Sequence, residues 1–233
     1  MTEKLPKAQI QELDGLMKQL LHGNAEERGA AMSRLTAYER SGRLSLPLLI
    51  EMAGESDPTV TMYAISALGR NGHPQAVKKL AALAAAHREG NPLLLETIVE
   101  ALGETRSMAA TPALLELLGI AGSWTGRLLG RLSRRNEEQQ ARMERLRAQM
   151  ALPVTRALER IADPRAAEAL GAFLDHEDAL VRCHTIRAMT NAGFTGSLER
   201  IRQLAEGDPN PTVQELARIA LDRLAPSPTQ LHN

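Results

Sequence analysis

Six histidines, one cysteine and 28 carboxylates are the side chains that could carry acid–base, nucleophilic or metal chemistry. His22, His73, His87, His176, His184 and His232 fall mostly at expected helix ends or turns. Nucleophilic catalysis needs a nucleophile, a base and an orienting group brought together. No histidine is flanked by a G-x-S-x-G motif, and there is no P-loop, dinucleotide fingerprint or H-E-x-x-H signature. A two-metal site needs several imidazole and carboxylate ligands converging from different elements. The single His-Glu pair, His176-Glu177, falls in a turn, and Cys183-His184-Thr185 reads as a packed thiol beside a helix-surface imidazole. His73 stands directly before Pro74, which suits a turn cap. The expectation is no catalytic residue, no metal and no cofactor.

The elements that hold these residues must be built without aromatic bulk. Aromatic residues make up 2% of the chain, so the core has to come from Leu, Ala, Ile, Val and Met, which favours thin layers of closely packed helices. The 43% apolar content excludes wholesale disorder. Formal net charge is zero, which removes the global attraction expected of a general nucleic-acid binder. Charge is nevertheless uneven: residues 124–149 carry a local net +4, and the stretches on either side are each net −2. A lone Cys183 cannot form an internal disulfide. The charged N-terminal stretch lacks the apolar run of a signal peptide, and no run of about 18 apolar residues occurs. A cytoplasmic protein without a membrane span is expected.

Self-similarity then organises the chain. SDPTVTMYAISALGRNGHPQAVKKLAALA, from Ser56, aligns with GNPLLLETIVEALGETRSMAATPALLELLG, from Gly90, at an offset of 34 residues. The outline returns from Ala157 and Glu177, with a degenerate first copy from Asn24 and a truncated last copy from Asp208. In each copy an Asp or Asn caps a first helix with apolar residues at helical spacing, such as Val60, Ala64, Ala67 and Leu68. A Gly or short polar turn follows. A second helix then starts with Pro in its first turn, as at Pro74, Pro112 and Pro164. Neither helix can bury its apolar side alone, so hairpins must stack.

ALGRNGHPQA (67–76), ALERIADPRA (157–166) and ALGETRSMAATPA (101–113) resemble the HEAT-like repeats of the phycobilisome-lyase type. The resemblance covers about residues 24–224 and implies an all-α solenoid of about six helical hairpins. Some proteins similar in fold are di-iron hydroxylases with His-Glu pairs near the start of several first helices; Tyr63-Ala64 and Thr97-Ile98 occupy the corresponding places here and cannot ligate. DNA-repair glycosylases built from such repeats need a basic surface and an aromatic shelf, which the mixed charges of the second helices do not supply. Bilin lyase subunits and related chaperones remain an alternative on repeat consensus alone.

Residues 1–225 are expected to form one domain. It comprises an N-terminal capping helix (1–23), repeats one to three (24–123), a helical insertion or arm (124–150) between units three and four, and repeats four to six (151–225). Residues 226–233 read as a disordered tail. Met143, Leu146, Met150, Val154, Ala157 and Ile161 extend the first helix of unit four back to about Glu137, with Pro153 as a kink. Trp124, Arg127, Arg131, Arg134 and Arg135 form a candidate basic patch on the arm, since Trp and Arg are enriched among binding hot spots. Lys78, Lys79, Arg165, Glu168, Arg200 and Gln203 form a second candidate patch on the second helices, expected to line a shallow concave face. The function expected is a non-enzymatic bacterial scaffold or adaptor that binds another protein, by an acidic peptide or helix. Nucleic-acid binding through the arm is a further alternative.

Overall fold

In the computed structural model, residues 7–40, 44–55, 57–120 and 137–224 are described. Twelve α-helices and no strand occur among them. The helices are α1 (Lys7–His22), α2 (Ala25–Arg40), α3 (Leu46–Met52), α4 (Pro58–Asn71), α5 (Pro74–Ala86), α6 (Pro92–Glu104) and α7 (Thr111–Leu117). Beyond residues 121–136 come α8 (Glu137–Ile161), α9 (Pro164–Ala169), α10 (Ala179–Asn191), α11 (Leu198–Gly207) and α12 (Pro211–Leu224). None is long and apolar enough to cross a membrane.

Helix starts follow from capping chemistry. Asp57 Oδ1 accepts from the backbone N–H groups of Thr59 and Val60 at 2.8 and 3.0 Å, and Pro58 opens α4. Asn91, Asp178 and Asn210 repeat the arrangement before α6, α10 and α12. Asn24 and Glu27 close a reciprocal capping box at the start of α2. His73 caps α5: its Nδ1 accepts from Gln75 N–H at 3.2 Å, the turn role its place before Pro74 suggested.

Helix ends are equally regular. At the ends of α4, α6, α8 and α10 the fifteenth residue of the repeat register is left-handed: Gly72 (φ 64°), Arg106 (φ 50°), Ala162 (φ 55°) and Gly193 (φ 66°). In α8 that register puts Arg147 where a cap would stand, but the helix runs on towards its N-terminus to Glu137, as expected from the sequence. Pro153 lies inside it. The second helix of unit four differs from a simple hairpin arm. It is only six residues long and passes into a 3-10 turn over Gly171–Asp175, with Gly171, a poor helix former, at the junction.

Stacking produces two rows. The first helices α4, α6, α8, α10 and α12 pack in sequence, as do α3, α5, α7 and α9 behind them. Backbone-close contact is written into the first row. A Cβ built on Gly69 would lie 2.8 Å from Ala101 Cα, and one on Gly103 would lie 2.8 Å from Ala157 Cα. The Ala-Leu-Gly motif thus presents a bare backbone to the alanine of the next unit. Around these contacts Leu20, Leu35, Leu68, Leu80, Leu102 and Leu114 are fully buried, each contributing about 1.5–3 kcal/mol by leaving water. Among the described residues, Phe173 and Tyr63 are the buried aromatic exceptions to the aliphatic core.

Candidate partner-binding surfaces

The arm patch of Trp124, Arg127, Arg131, Arg134 and Arg135, like the tail from 226, lies outside the described residues. The second-helix patch is placed, and its members do different things. Lys78 is exposed and Lys79 half-buried on α5, and Glu168 is exposed on α9. Arg165 is turned back on its own turn: Nε and Nη2 hold the Asp163 carboxylate, and Nη2 also donates to the Met108 carbonyl at 3.3 Å. Arg200 bonds Asp175 through Nε at 2.6 Å and Gln203 Oε1 through Nη1 at 2.8 Å. The patch therefore spans several units, with Arg165 and Arg200 already engaged within the chain.

A buried ion pair joins the last two units. Arg182 on α10 and Asp208, which ends α11, meet with side chains 9% and 1% exposed. Burial alone would raise the Asp208 carboxyl; donation from Arg182 and from Asn210 N–H outweighs it and holds the group below the usual carboxylate range. Asp163 is likewise held low: burial pushes upward, and the Arg165 guanidinium prevails. Arg182 also serves the local chain. Thr61, Arg182 and Gln214 each stand four residues after a cap, and donate to the carbonyls of Glu55, His176 and Asp208 at 2.8, 2.7 and 2.7 Å. Each acceptor lies two residues before that cap. Three chemically different side chains thereby tie down the same turn.

Where the repeat's glycine is replaced, the first row changes character. Glu159 takes that place in α8, and its Oε2 lies 2.5 Å from His184 Nδ1 on α10. Asn191 Nδ2 donates to the Glu159 carbonyl at 3.1 Å, and Arg187 lies 3.9 Å from the carboxylate. A polar cluster thus replaces the bare-backbone contact. His184, read from the sequence as a helix-surface imidazole, is largely buried and bridges two helices. Cys183 beside it is buried, which pushes its thiol up.

In the first unit the glycine place is held by Thr36. A cleft of ≈ 660 Å³ lies there between α2 and α4, walled by Met32, Thr36, Pro58, Met62 and Ser66. At one end Arg70 grips Glu39 with two bonds of 2.8 Å. Tyr63 O–H, 3.4 Å from the same carboxylate, is pushed up to about 12 by burial and then by the Glu39 charge. Nothing in the composition pointed to this cleft.

The next two first helices carry opposite charge on one stripe. Positions nine and thirteen after the cap register are Glu100 and Glu104 on α6, and Arg156 and Arg160 on α8, all exposed. Glu96 extends the acidic stripe by a turn. Glu100 and Arg160 approach to 3.8 Å. Among the described residues no group of three or more His, Cys, Asp or Glu is arranged to hold a metal ion.

Comparison with known proteins agrees with this geometry. No curated protein matches the chain in sequence. Among solved structures, the chain is similar to the complex of CpcE and CpcF of phycocyanin lyase from Nostoc sp., with TM-score 0.56 and 22% identity over 80% of this chain and 67% of that one. It is also similar to an engineered protein, with TM-score 0.51 and 17% identity over 91% of this chain and 96% of that one. At these identities the likeness is one of fold. Residues 13–89, 46–127 and 143–226 match HEAT repeats in three overlapping stretches, so the chain belongs to the HEAT-repeat family.

Proposed function

We propose that this all-α solenoid is a non-enzymatic scaffold that binds another protein. The observation that carries the reading is the exposure, on a rigid stack of repeats, of ordered charge stripes beside an open, largely apolar cleft. Such a surface offers shape and charge to a partner without bringing a nucleophile and a base together. The basic arm with Trp124 and Arg127, Arg131, Arg134 and Arg135 is a second contact in this proposal, suited to an acidic peptide or helix. The second-helix residues Lys78, Lys79, Arg165, Glu168, Arg200 and Gln203 contribute a mixed-charge flank.

A second reading, that of a subunit in a lyase-like assembly, draws on the likeness to the CpcE and CpcF complex, itself described as two proteins together. Affinity capture with the wild-type chain and with Arg131→Glu/Arg135→Glu, each with and without nuclease, tests the scaffold proposal. Stoichiometric protein capture that resists nuclease supports it. Capture of nuclease-sensitive material alone, or a coloured ligand that co-purifies without any protein, would overturn it.

A further inference from the structure

The first-helix row carries an order of chemistry that hairpin stacking does not require. At its start lies the cleft between α2 and α4, with Met32, Pro58 and Met62 as apolar walls and the paired Glu39 and Arg70 at one end. Beside it stand Glu96, Glu100 and Glu104 on α6, then Arg156 and Arg160 on α8. Glu96 and Arg156 make no ion pair among the described residues, so much of both stripes is unspent. The first helices touch each other more extensively than the second helices do, down to backbone contact at Gly69 and Gly103. A partner laid along this row would meet the cleft and then each stripe in turn.

We infer that this row is the docking groove for a basic amphipathic α-helix of a partner protein. The inference rests on the scaffold reading above and adds the face and the partner's chemistry. Apolar residues at i, i+3 and i+4 of the partner helix enter the cleft, where two methionines adapt to their shape. Lysines or arginines further along meet Glu96, Glu100 and Glu104. Packed helix axes lie about 10 Å apart and a helix advances about 1.5 Å per residue, so the basic residues belong about 7–10 residues from the apolar anchor. A basic residue carried further is repelled by Arg156 and Arg160, which fixes the direction in which the helix lies.

The test places a photo-crosslinking p-benzoylphenylalanine at Thr59, on the exposed lip of the cleft, and in a second chain at Lys78 on the opposite row. Crosslinking is carried out in cells of the source organism, and the attached segment is sequenced by mass spectrometry. The expected result is a helix-forming segment joined at Thr59, with an apolar anchor and basic residues at the stated spacing. Adding Glu96→Lys and Glu100→Lys should lower its yield at least tenfold while leaving the melting temperature unchanged. Crosslinks at Thr59 to this same chain, to nucleic acid, or to a segment without basic residues overturn the inference. Capture at Lys78 but not at Thr59 overturns the face and leaves the scaffold reading standing; capture at neither site counts against both.

Discussion

Arg182 donates to both carboxylate oxygens of Asp208, from Nε to Oδ2 at 2.8 Å and from Nη2 to Oδ1 at 2.7 Å. Its remaining nitrogen, Nη1, is occupied by the carbonyls of His176 and Glu177. Removing Asp208 would strand a guanidinium that is 9% exposed. Asp208→Ala is therefore expected to cost about 3–5 kcal/mol, the usual range for breaking a buried pair from one side. Urea denaturation followed by circular dichroism measures it; a loss under 1 kcal/mol would show that the pair contributes little.

Acid should act through the same group. Asp208 and Asp163 both have carboxyls held below their ordinary range in the folded chain. Their contribution is complete above the unfolded value of about 3.9 and is lost as pH falls through the lowered folded values. Melting temperature should hold from pH 7 to 5 and then drop below about pH 4. In Asp208→Ala the drop should be shallower, because one of the two linked groups is gone.

Two single-methyl changes should move stability in opposite directions. Gly69→Ala places a Cβ 2.8 Å from the Cα and carbonyl oxygen of Ala101, an overpacking expected to cost about 1–3 kcal/mol. Ala162→Gly removes a Cβ from a left-handed residue at φ 55° and should be neutral or gain up to about 1 kcal/mol. Gly171→Ala, with nothing within 4 Å of the added carbon, is the control. Thermal melts of the three variants side by side decide the matter.

Cys183 should be slow to react. It is 5% exposed, and burial pushes its thiol up, so little thiolate is presented to a reagent near neutral pH. A chromogenic disulfide reagent should label the native chain at least a hundredfold more slowly than the chain in denaturant. Comparable rates would mean that α10 opens readily.

Local signals carried most of the architecture. Asp57, Asn91 and the Pro that follows each cap mark helix starts by chemistry confined to a few residues, and the 34-residue offset exposes the stack. The long helix to Glu137 followed from apolar spacing back to Met143 and from Glu137 and Glu138, which suit a first turn. The site was less legible, because its residues meet across units. Arg182 and Asp208 are 26 residues apart, and Glu39 and Arg70 are 31 apart, distances over which periodicity says nothing about which side chains touch. Glu159, standing where the repeat calls for bare backbone, was a missed clue to the polar contact with His184.

The cleft beside Thr36 has a mechanical corollary. Elsewhere successive first helices lean on each other along their length, whereas α2 reaches α4 across a gap, through Glu39, Arg70 and Tyr63, and α1 supplies the other tether. In a chain whose cohesion passes only between neighbours, load applied to the ends concentrates at the thinnest seam. Pulled from its termini, the molecule would peel at this seam first, releasing α1 and α2 as a flap while the stack from α4 onward stayed whole.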